Sequence, residues 1–249
     1  MEKLWKYAMS AAISLGVLCL VVMMIYAGNK SVVITEEQDL KGKGNLEPLV
    51  KVILQEKEQY EFIVLVNAAH GGDNKGNVVN ELEEKTITLN VAKRLMKLSE
   101  PGEIGFFMIR EEDTDISNES RAKVIARIEP DLVIDLHVNA DPDNERTLGT
   151  AMVYNNNFYR PQMTNAQIAD YMERELVTRI QGKALGVFPD TENKYPLLSM
   201  MEQAAVSVEM GFLTNKQEAN LLKKDSYQKL IAQGIFDGVK KIREELDKQ

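Results

Sequence analysis

The sequence predicts an α/β fold: a single domain with a largely parallel mixed sheet flanked by helices, preceded by one transmembrane helix. Short apolar, β-rich runs alternate with segments of helical spacing, as successive βαβ units require. The chain of 249 residues, less roughly the first thirty, suits one domain of ordinary size whose core needs no disulfide staples. A long uncharged apolar stretch opens it.

That stretch runs from Tyr7 to Ala27, enough helix at ~1.5 Å per residue to cross the ~30 Å hydrocarbon core of a bilayer. Lys3 and Lys6 before it place residues 1–6 in the cytoplasm and the body of the protein outside. The competing reading is a cleaved signal peptide and a secreted domain. Signal peptides usually carry ~7–15 apolar residues, and Ile25-Tyr26-Ala27 is a poor cleavage site, so an uncleaved anchor in the lipid bilayer is favoured. The one cysteine, Cys19, lies inside the span, without the small residues before it that a lipoprotein site would want. The exported domain therefore has no thiol, and a metal site there must use nitrogen and oxygen ligands. Residues 28–48 mix charge, glycine and polar side chains and read as a stalk, leaving 49–249 for the domain.

Apolar runs follow at Leu49 to Leu54, Phe62 to Val66, Phe106 to Ile109, Leu132 to Leu136, Thr150 to Tyr154 and Val206 to Val208. They supply the strands of the expected sheet. Helical stripes lie between them. Ile87, Val91, Leu95 and Leu98 mark one from Glu84 to Leu98; Ile168, Met172, Leu176 and Ile180 mark another from about Asn165 to Ile180. A third, from about Ser226 to Leu246, carries Ile231, Ile235, Val239 and Ile242, and all three read as faces packed on the sheet. Gly182 to Gln203 reads as a connecting loop, with a cover over a cleft as the alternative. The formal net charge is −8 and the basic residues are dispersed, which leaves no electrostatic footprint for nucleic acid.

The chain has 2 histidines, His70 and His137, and each sits where an apolar run gives way to small or polar residues. Ligand sites in open α/β sheets gather at the carboxyl ends of strands, so two such strands can bring both imidazoles to one site as a metal pair, the alternative being that each is an ordinary core or loop histidine. A hydrolytic zinc ion commonly takes two histidines and one carboxylate. Glu81, Glu83 and Glu84 lie at the start of the first striped helix, where the helix dipole favours a carboxylate, and periodicity does not choose between Glu83 and Glu84. Glu209 is a second candidate, delivered by an apolar run just before Gly211. A carboxylate at the end of a buried strand is costly unless paired or near a cation. Thr214 or Asn215 then caps a helix from near Lys216 to Leu222.

Four segments in order resemble the amidase_3 family of zinc-dependent N-acetylmuramoyl-L-alanine amidases: Ala69-His70-Gly71-Gly72; Glu84-Lys85 with Leu89-Asn90; Leu136-His137-Val138-Asn139-Ala140; and Val208-Glu209-Met210-Gly211-Phe212-Leu213-Thr214-Asn215. Ile109 to Asp113 and Arg121 resemble the family's arginine-rich middle, and the likeness covers about Phe62 to the C-terminus. The resemblance implies Zn2+ held by His70, Glu84 and His137, with Glu209 as catalytic acid/base. It also implies hydrolysis of the amide between N-acetylmuramic acid and L-alanine in bacterial peptidoglycan, a substrate that the catalytic domain of a single-pass protein of the bacterial cell membrane, placed outside the cytoplasm by the Tyr7 to Ala27 span, would meet. Cell separation, wall turnover, sporulation and germination are the settings it suggests, the compact domain resembling the germination-specific branch. An activating or recruiting protein partner fits the same picture.

Three positions depart from the family pattern, one of them Ala69, where the family usually has glycine. Asn67 stands where the family usually has aspartate, and Asp135, two residues before His137, where it typically has serine. Side chains alternate along a strand, so Asp135 shares a face with His137, and it is expected either to supply the outer negative charge missing at Asn67 or to serve as a simple ion-pair partner. Two other readings compete with the amidase. One is a catalytically silent domain that binds peptidoglycan or a wall protein, suggested by Asn67-Ala68-Ala69; the other is a zinc peptidase acting within the stem peptide.

Overall fold

Residues 46–156 and 160–248 are described by the structure, a computed structural model. The expected span at 7–27, its cytoplasmic flank and nearly all of the stalk lie outside them. Among the described residues no helix is long and apolar enough to cross a membrane.

Among the described residues eight strands and seven α-helices follow in order: α1 (Glu47–Glu56), β1 (Phe62–Ala68), β2 (Val78–Val79), β3 (Leu82–Glu83), α2 (Glu84–Met96), β4 (Ile104–Met108), α3 (Asn118–Ile128), β5 (Leu132–Asn139), β6 (Thr150–Tyr154), α4 (Asn165–Ile180), β7 (Ala184–Pro189), α5 (Pro196–Ser199), β8 (Ala205–Phe212), α6 (Lys216–Leu222) and α7 (Asp225–Leu246). The main sheet has six strands in the order β4-β1-β5-β8-β6-β7. Neighbours pair in parallel except β6 and β8, so the sheet is mixed and largely parallel, as expected. Residues 48–248 belong to one compact unit.

Two expectations are corrected. Leu49 to Leu54 lies in α1 and not in a strand: Val50 and Ile53, three apart, are buried while Val52 between them is 49% exposed, a helical pattern that a run of six apolar or long side chains can satisfy equally well. The Gly182 to Gln203 stretch is more than a connecting loop, since it holds edge strand β7 and the short helix α5. Half-exposed strands such as β7 carry little apolar signal.

The sheet's two faces differ. On one, Val64, Val66, Leu132, Ile134, Leu136, Val206 and Val208 pack against Ile87 and Val91 of α2, Met172 and Leu176 of α4, and Ile231 and Ile235 of α7 in a single core cluster. At ~2 kcal/mol for each large aliphatic side chain buried, this face carries much of the domain's stability. The other face lies toward α3 and α5; it is apolar and buried at Leu65 and Val133 but polar toward the carboxyl ends of the strands, at Asn67, Asp135, His137, Ser207 and Glu209. Local chemistry fixes the helix starts: Thr164 and Gln167 form a reciprocal capping box on α4, and Asn215 accepts from the backbone N–H of Gln217 and Glu218 at α6.

Candidate metal and catalytic site

Strand register brings the polar residues together. Asn67 pairs with Asp135 and Asp135 with Ser207; one step along, His137 pairs with Glu209. One row of polar side chains thus crosses β1, β5 and β8, and a second crosses β5 and β8, near their carboxyl ends.

His70 lies two residues beyond β1 in the left-handed region, with φ of 63°. That conformation costs a non-glycine residue about 1–2 kcal/mol and persists here because arginines clamp the loop. Arg121 Nη2 donates to His70 O at 2.8 Å, and Nη1 donates to Asn67 Oδ1 and to Ala68 O. Arg110 donates to the carbonyls of Ala68, Ala69 and Lys85. Burial, followed by the neighbouring Arg121 charge, pushes the Arg110 guanidinium down to about 10, so it remains charged at neutral pH. Close approach requires glycine at Gly71, where a Cβ would lie 2.1 Å from Thr114 O.

Glu84 begins α2 and is buried under both histidines. Its Oε2 lies 3.1 Å from His70 Nε2 and its Oε1 lies 3.1 Å from His137 Nδ1. Oε2 accepts from the Asn77 backbone and side chain, and Oε1 from Val138 N. Burial raises the Glu84 pKa, but the hydrogen bonds to His137 and His70 outweigh it and hold the carboxyl well below the usual range. Glu83 instead meets Lys75 at 2.7 Å, while Glu81 sits in the turn between β2 and β3; the ambiguity left by periodicity is resolved by which carboxylate faces the histidines.

Each imidazole has one nitrogen engaged elsewhere. His70 Nδ1 lies 2.9 Å from Asn74 Oδ1, and His137 Nε2 lies 3.1 Å from Asp135 Oδ2. With a cation bound, keeping the proton on those nitrogens leaves lone pairs on His70 Nε2 and His137 Nδ1, both turned toward Glu84; without the cation the same two nitrogens donate to Glu84. The three donors lie within 4.8 Å of one another. A tetrahedral zinc ion with bonds of ~2.0–2.2 Å asks for donors ~3.3–3.5 Å apart, and a two-nitrogen, one-oxygen set suits that ion. Gly76 completes the cradle, since a Cβ there would stand 2.5 Å from both Glu84 Oε2 and His70 Cδ2. The residues fit such a cation.

Asp135 is fully buried and links the two rows. Its Oδ1 accepts from Asn67 Nδ2 at 2.7 Å, and its Oδ2 from Ser207 Oγ at 3.1 Å and from His137. Burial opposes its charge, yet His137, Asn67 and Arg121 hold its pKa below the ordinary value. For His137 burial likewise opposes charge, and Asp135 and Glu84 raise its pKa well above the ordinary value.

Glu209 is 4% exposed. Burial raises its pKa against the lowering influence of His137 and Tyr195. Tyr195 Oη donates to Glu209 Oε1 at 2.6 Å, while no described protein group bonds Oε2. Burial, then the carboxylate of Glu209, holds the Tyr195 phenol above its ordinary range, so it stays a donor. The strand end is pinned by half-buried Glu218, which accepts from Phe212 N and Gly149 N. A cavity of about 140 Å³ opens beside the histidines, lined in part by Asn74, Ile116, Asn118 and Lys194.

Sequence reasoning missed Tyr195, Ser207, Asn77 and Gly76 as members of the site. Ser207 was within reach, two residues before Glu209 on the same strand face; Tyr195 had only its place before Pro196.

Residues 64–241 match the family model Amidase_3, N-acetylmuramoyl-L-alanine amidase. The chain is 31% identical over 198 residues to the germination-specific N-acetylmuramoyl-L-alanine amidase of Bacillus subtilis, covering 71% of this chain and 78% of that one. A crystal structure of N-acetylmuramoyl-L-alanine amidase from Clostridium difficile aligns with a TM-score of 0.67 at 27% identity, over 74% of this chain and 97% of that one. The CwlD amidase of Clostridioides difficile, solved in complex with the GerS lipoprotein, aligns with a TM-score of 0.63 at 21% identity over 76% of this chain and 100% of its own, a likeness of fold alone.

Proposed function

Since the chain belongs to the Amidase_3 family of N-acetylmuramoyl-L-alanine amidases, we propose that it hydrolyses the amide joining N-acetylmuramic acid to L-alanine in peptidoglycan. One observation carries the reading to particular residues: His70, Glu84 and His137 converge on one point, and buried Glu209 stands in the same row as His137 on the neighbouring strand. The three would hold Zn2+, which when bound polarises the scissile carbonyl and acidifies water. Glu209 takes the proton of the attacking water and passes it to the leaving alanine nitrogen. Its raised pKa suits both halves of that transfer, because a weaker acid is a better base and still returns the proton near neutral pH. Asp135 holds His137 in the tautomer that presents Nδ1, and Arg121 and Arg110 hold the His70 loop.

The reading extends to the residues outside the described ones. Tyr7 to Ala27 anchors the protein in the cell membrane, the residues from 28 up to the start of α1 at Glu47 form the stalk, and the domain works on the outer side; the uncharged apolar run and its preceding lysines support this. A germination or sporulation setting is supported by the similarity to the germination-specific relative over most of its length. A protein partner is supported by CwlD, of the same fold, having been solved with a lipoprotein.

Product analysis tests the function. Purified peptidoglycan treated with the full chain is expected to release peptides with a free N-terminal L-alanine and leave muramic acid intact. New amino termini within the stem peptide would instead establish a peptidase, and release of nothing, with metal bound, a binding domain.

A further inference from the structure

We propose that Tyr195 is a positioning residue for the hydrolysis, holding one oxygen of the Glu209 carboxylate so that the other is left to take the proton of the attacking water; this rests on the amidase reading above. The geometry is specific. The phenol donates to Oε1 at 2.6 Å, Oε2 is buried with no described protein donor, and the Tyr195 ring stands edge-on to His137 with centroids 5.4 Å apart. A carboxylate on a buried strand can otherwise rotate about its terminal torsion, and that torsion has only a broad, roughly two-fold preference. The phenol removes this freedom and distinguishes the two oxygens.

The segment that carries Tyr195 is itself fixed. Both oxygens of Asp190 accept backbone N–H groups, from Lys194 at 2.9 Å and from Tyr195 at 3.0 Å. Pro196 then opens α5, whose Leu197 and Leu198 are buried against the sheet face that bears the site. A side chain borne on a plain surface loop would not need both an aspartate clamp and an apolar foot. The stretch from Asp190 to Leu198 is therefore a support for the phenol, and Tyr195 also forms one wall of the cavity beside the histidines.

Tyr195→Phe keeps the ring and removes the hydroxyl, and it separates the role from the fold. On a soluble muramoyl-peptide it is expected to lower kcat about 10- to 100-fold with KM little changed, as loss of a hydrogen bond to a charged group predicts. Bound metal per chain and Tm should stay as in the wild type. Asp190→Ala, which loosens the clamp and leaves the phenol, should lower kcat by a smaller factor in the same direction. A readout independent of turnover is the near-ultraviolet tyrosine spectrum of the metal-free protein. Glu209→Gln should shift it in the wild-type background and leave it unchanged in the Tyr195→Phe background. Unchanged kcat in Tyr195→Phe, a raised kcat, which would make the phenol a latch, or a spectral shift that survives Tyr195→Phe would each overturn the proposal. Failure of the wild type itself to release L-alanine-headed peptides would overturn the amidase reading instead, and the spectral test would still decide the Tyr195 contact.

Discussion

Asp135→Asn is nearly isosteric, yet the structure assigns it a large effect on metal binding. Three groups donate to the carboxylate: Asn67 Nδ2, Ser207 Oγ and His137 Nε2. An amide has one acceptor oxygen and one donor nitrogen. With its oxygen toward Asn67, its NH2 faces His137 Nε2 and forces the imidazole proton onto Nδ1, the nitrogen that faces Glu84; turned the other way, its NH2 meets the NH2 of Asn67. The first arrangement removes the lone pair a cation needs, and the second leaves a buried donor unmet at about 1–3 kcal/mol. Loss of such an outer partner typically weakens metal affinity about 10- to 100-fold, equivalent to about 1.4–2.7 kcal/mol. Competition for zinc against a chromogenic chelator at fixed pH measures the shift directly, with Tm of the metal-free protein recorded beside it. Ser207→Ala, which removes one donor and leaves the carboxylate, should shift affinity less. Equal zinc affinity in wild type and Asp135→Asn, with Tm lowered, would show that Asp135 serves the fold and not the ligand, and would refute the argument.

Three further outcomes are expected. Gly76→Ala forces a Cβ to within 2.5 Å of Glu84 Oε2 and His70 Cδ2 at a φ of 66°, so chelator competition should show zinc affinity down more than about tenfold while the fold survives. In the metal-free protein Glu209→Gln should raise stability at neutral pH. The folded pKa of Glu209 lies above its unfolded value, so between the two the native wild type binds more protons and loses stability as pH rises; the advantage of glutamine should therefore vanish on acidification below the ordinary carboxylate range in pH-dependent thermal melts. Asn67→Asp sets two carboxylates where a 2.7 Å hydrogen bond now stands and should destabilise by about 1–3 kcal/mol; adding Asp135→Ser, which restores the family pattern, should recover most of that, a coupling that a double-mutant cycle in urea measures.

What could be read from the sequence follows how local its physical cause is. The expected helix from about Asn165 to Ile180 coincides with α4, and Thr150 to Tyr154 with β6, because an apolar stripe and a short apolar run are each written within their own segment. α1 failed because a short apolar run satisfies either period. β7 failed because an edge strand paired on one side needs no apolar run, and α3 because its stripe of Val124, Ile125 and Ile128 is broken by Arg121, which turns inward to the His70 loop. The site divides the same way. His70, His137 and Glu209 announce themselves by standing where buried strands end. The choice of Glu84 over Glu83 depends on which carboxylate faces the imidazoles, a long-range fact that the family motif supplied and periodicity could not. Tyr195 meets Glu209 through the fold of the segment between β7 and β8, and no spacing encodes that contact.

The most direct test of the account is metal content and turnover of the full chain in wild type and Glu209→Gln, measured on the same preparation. About one zinc per chain is expected in both, with release of L-alanine-headed peptides by the wild type alone. Turnover by Glu209→Gln at the wild-type rate, or loss of its zinc together with its activity, would contradict the division of labour between the His70, Glu84 and His137 ligands and the Glu209 proton carrier.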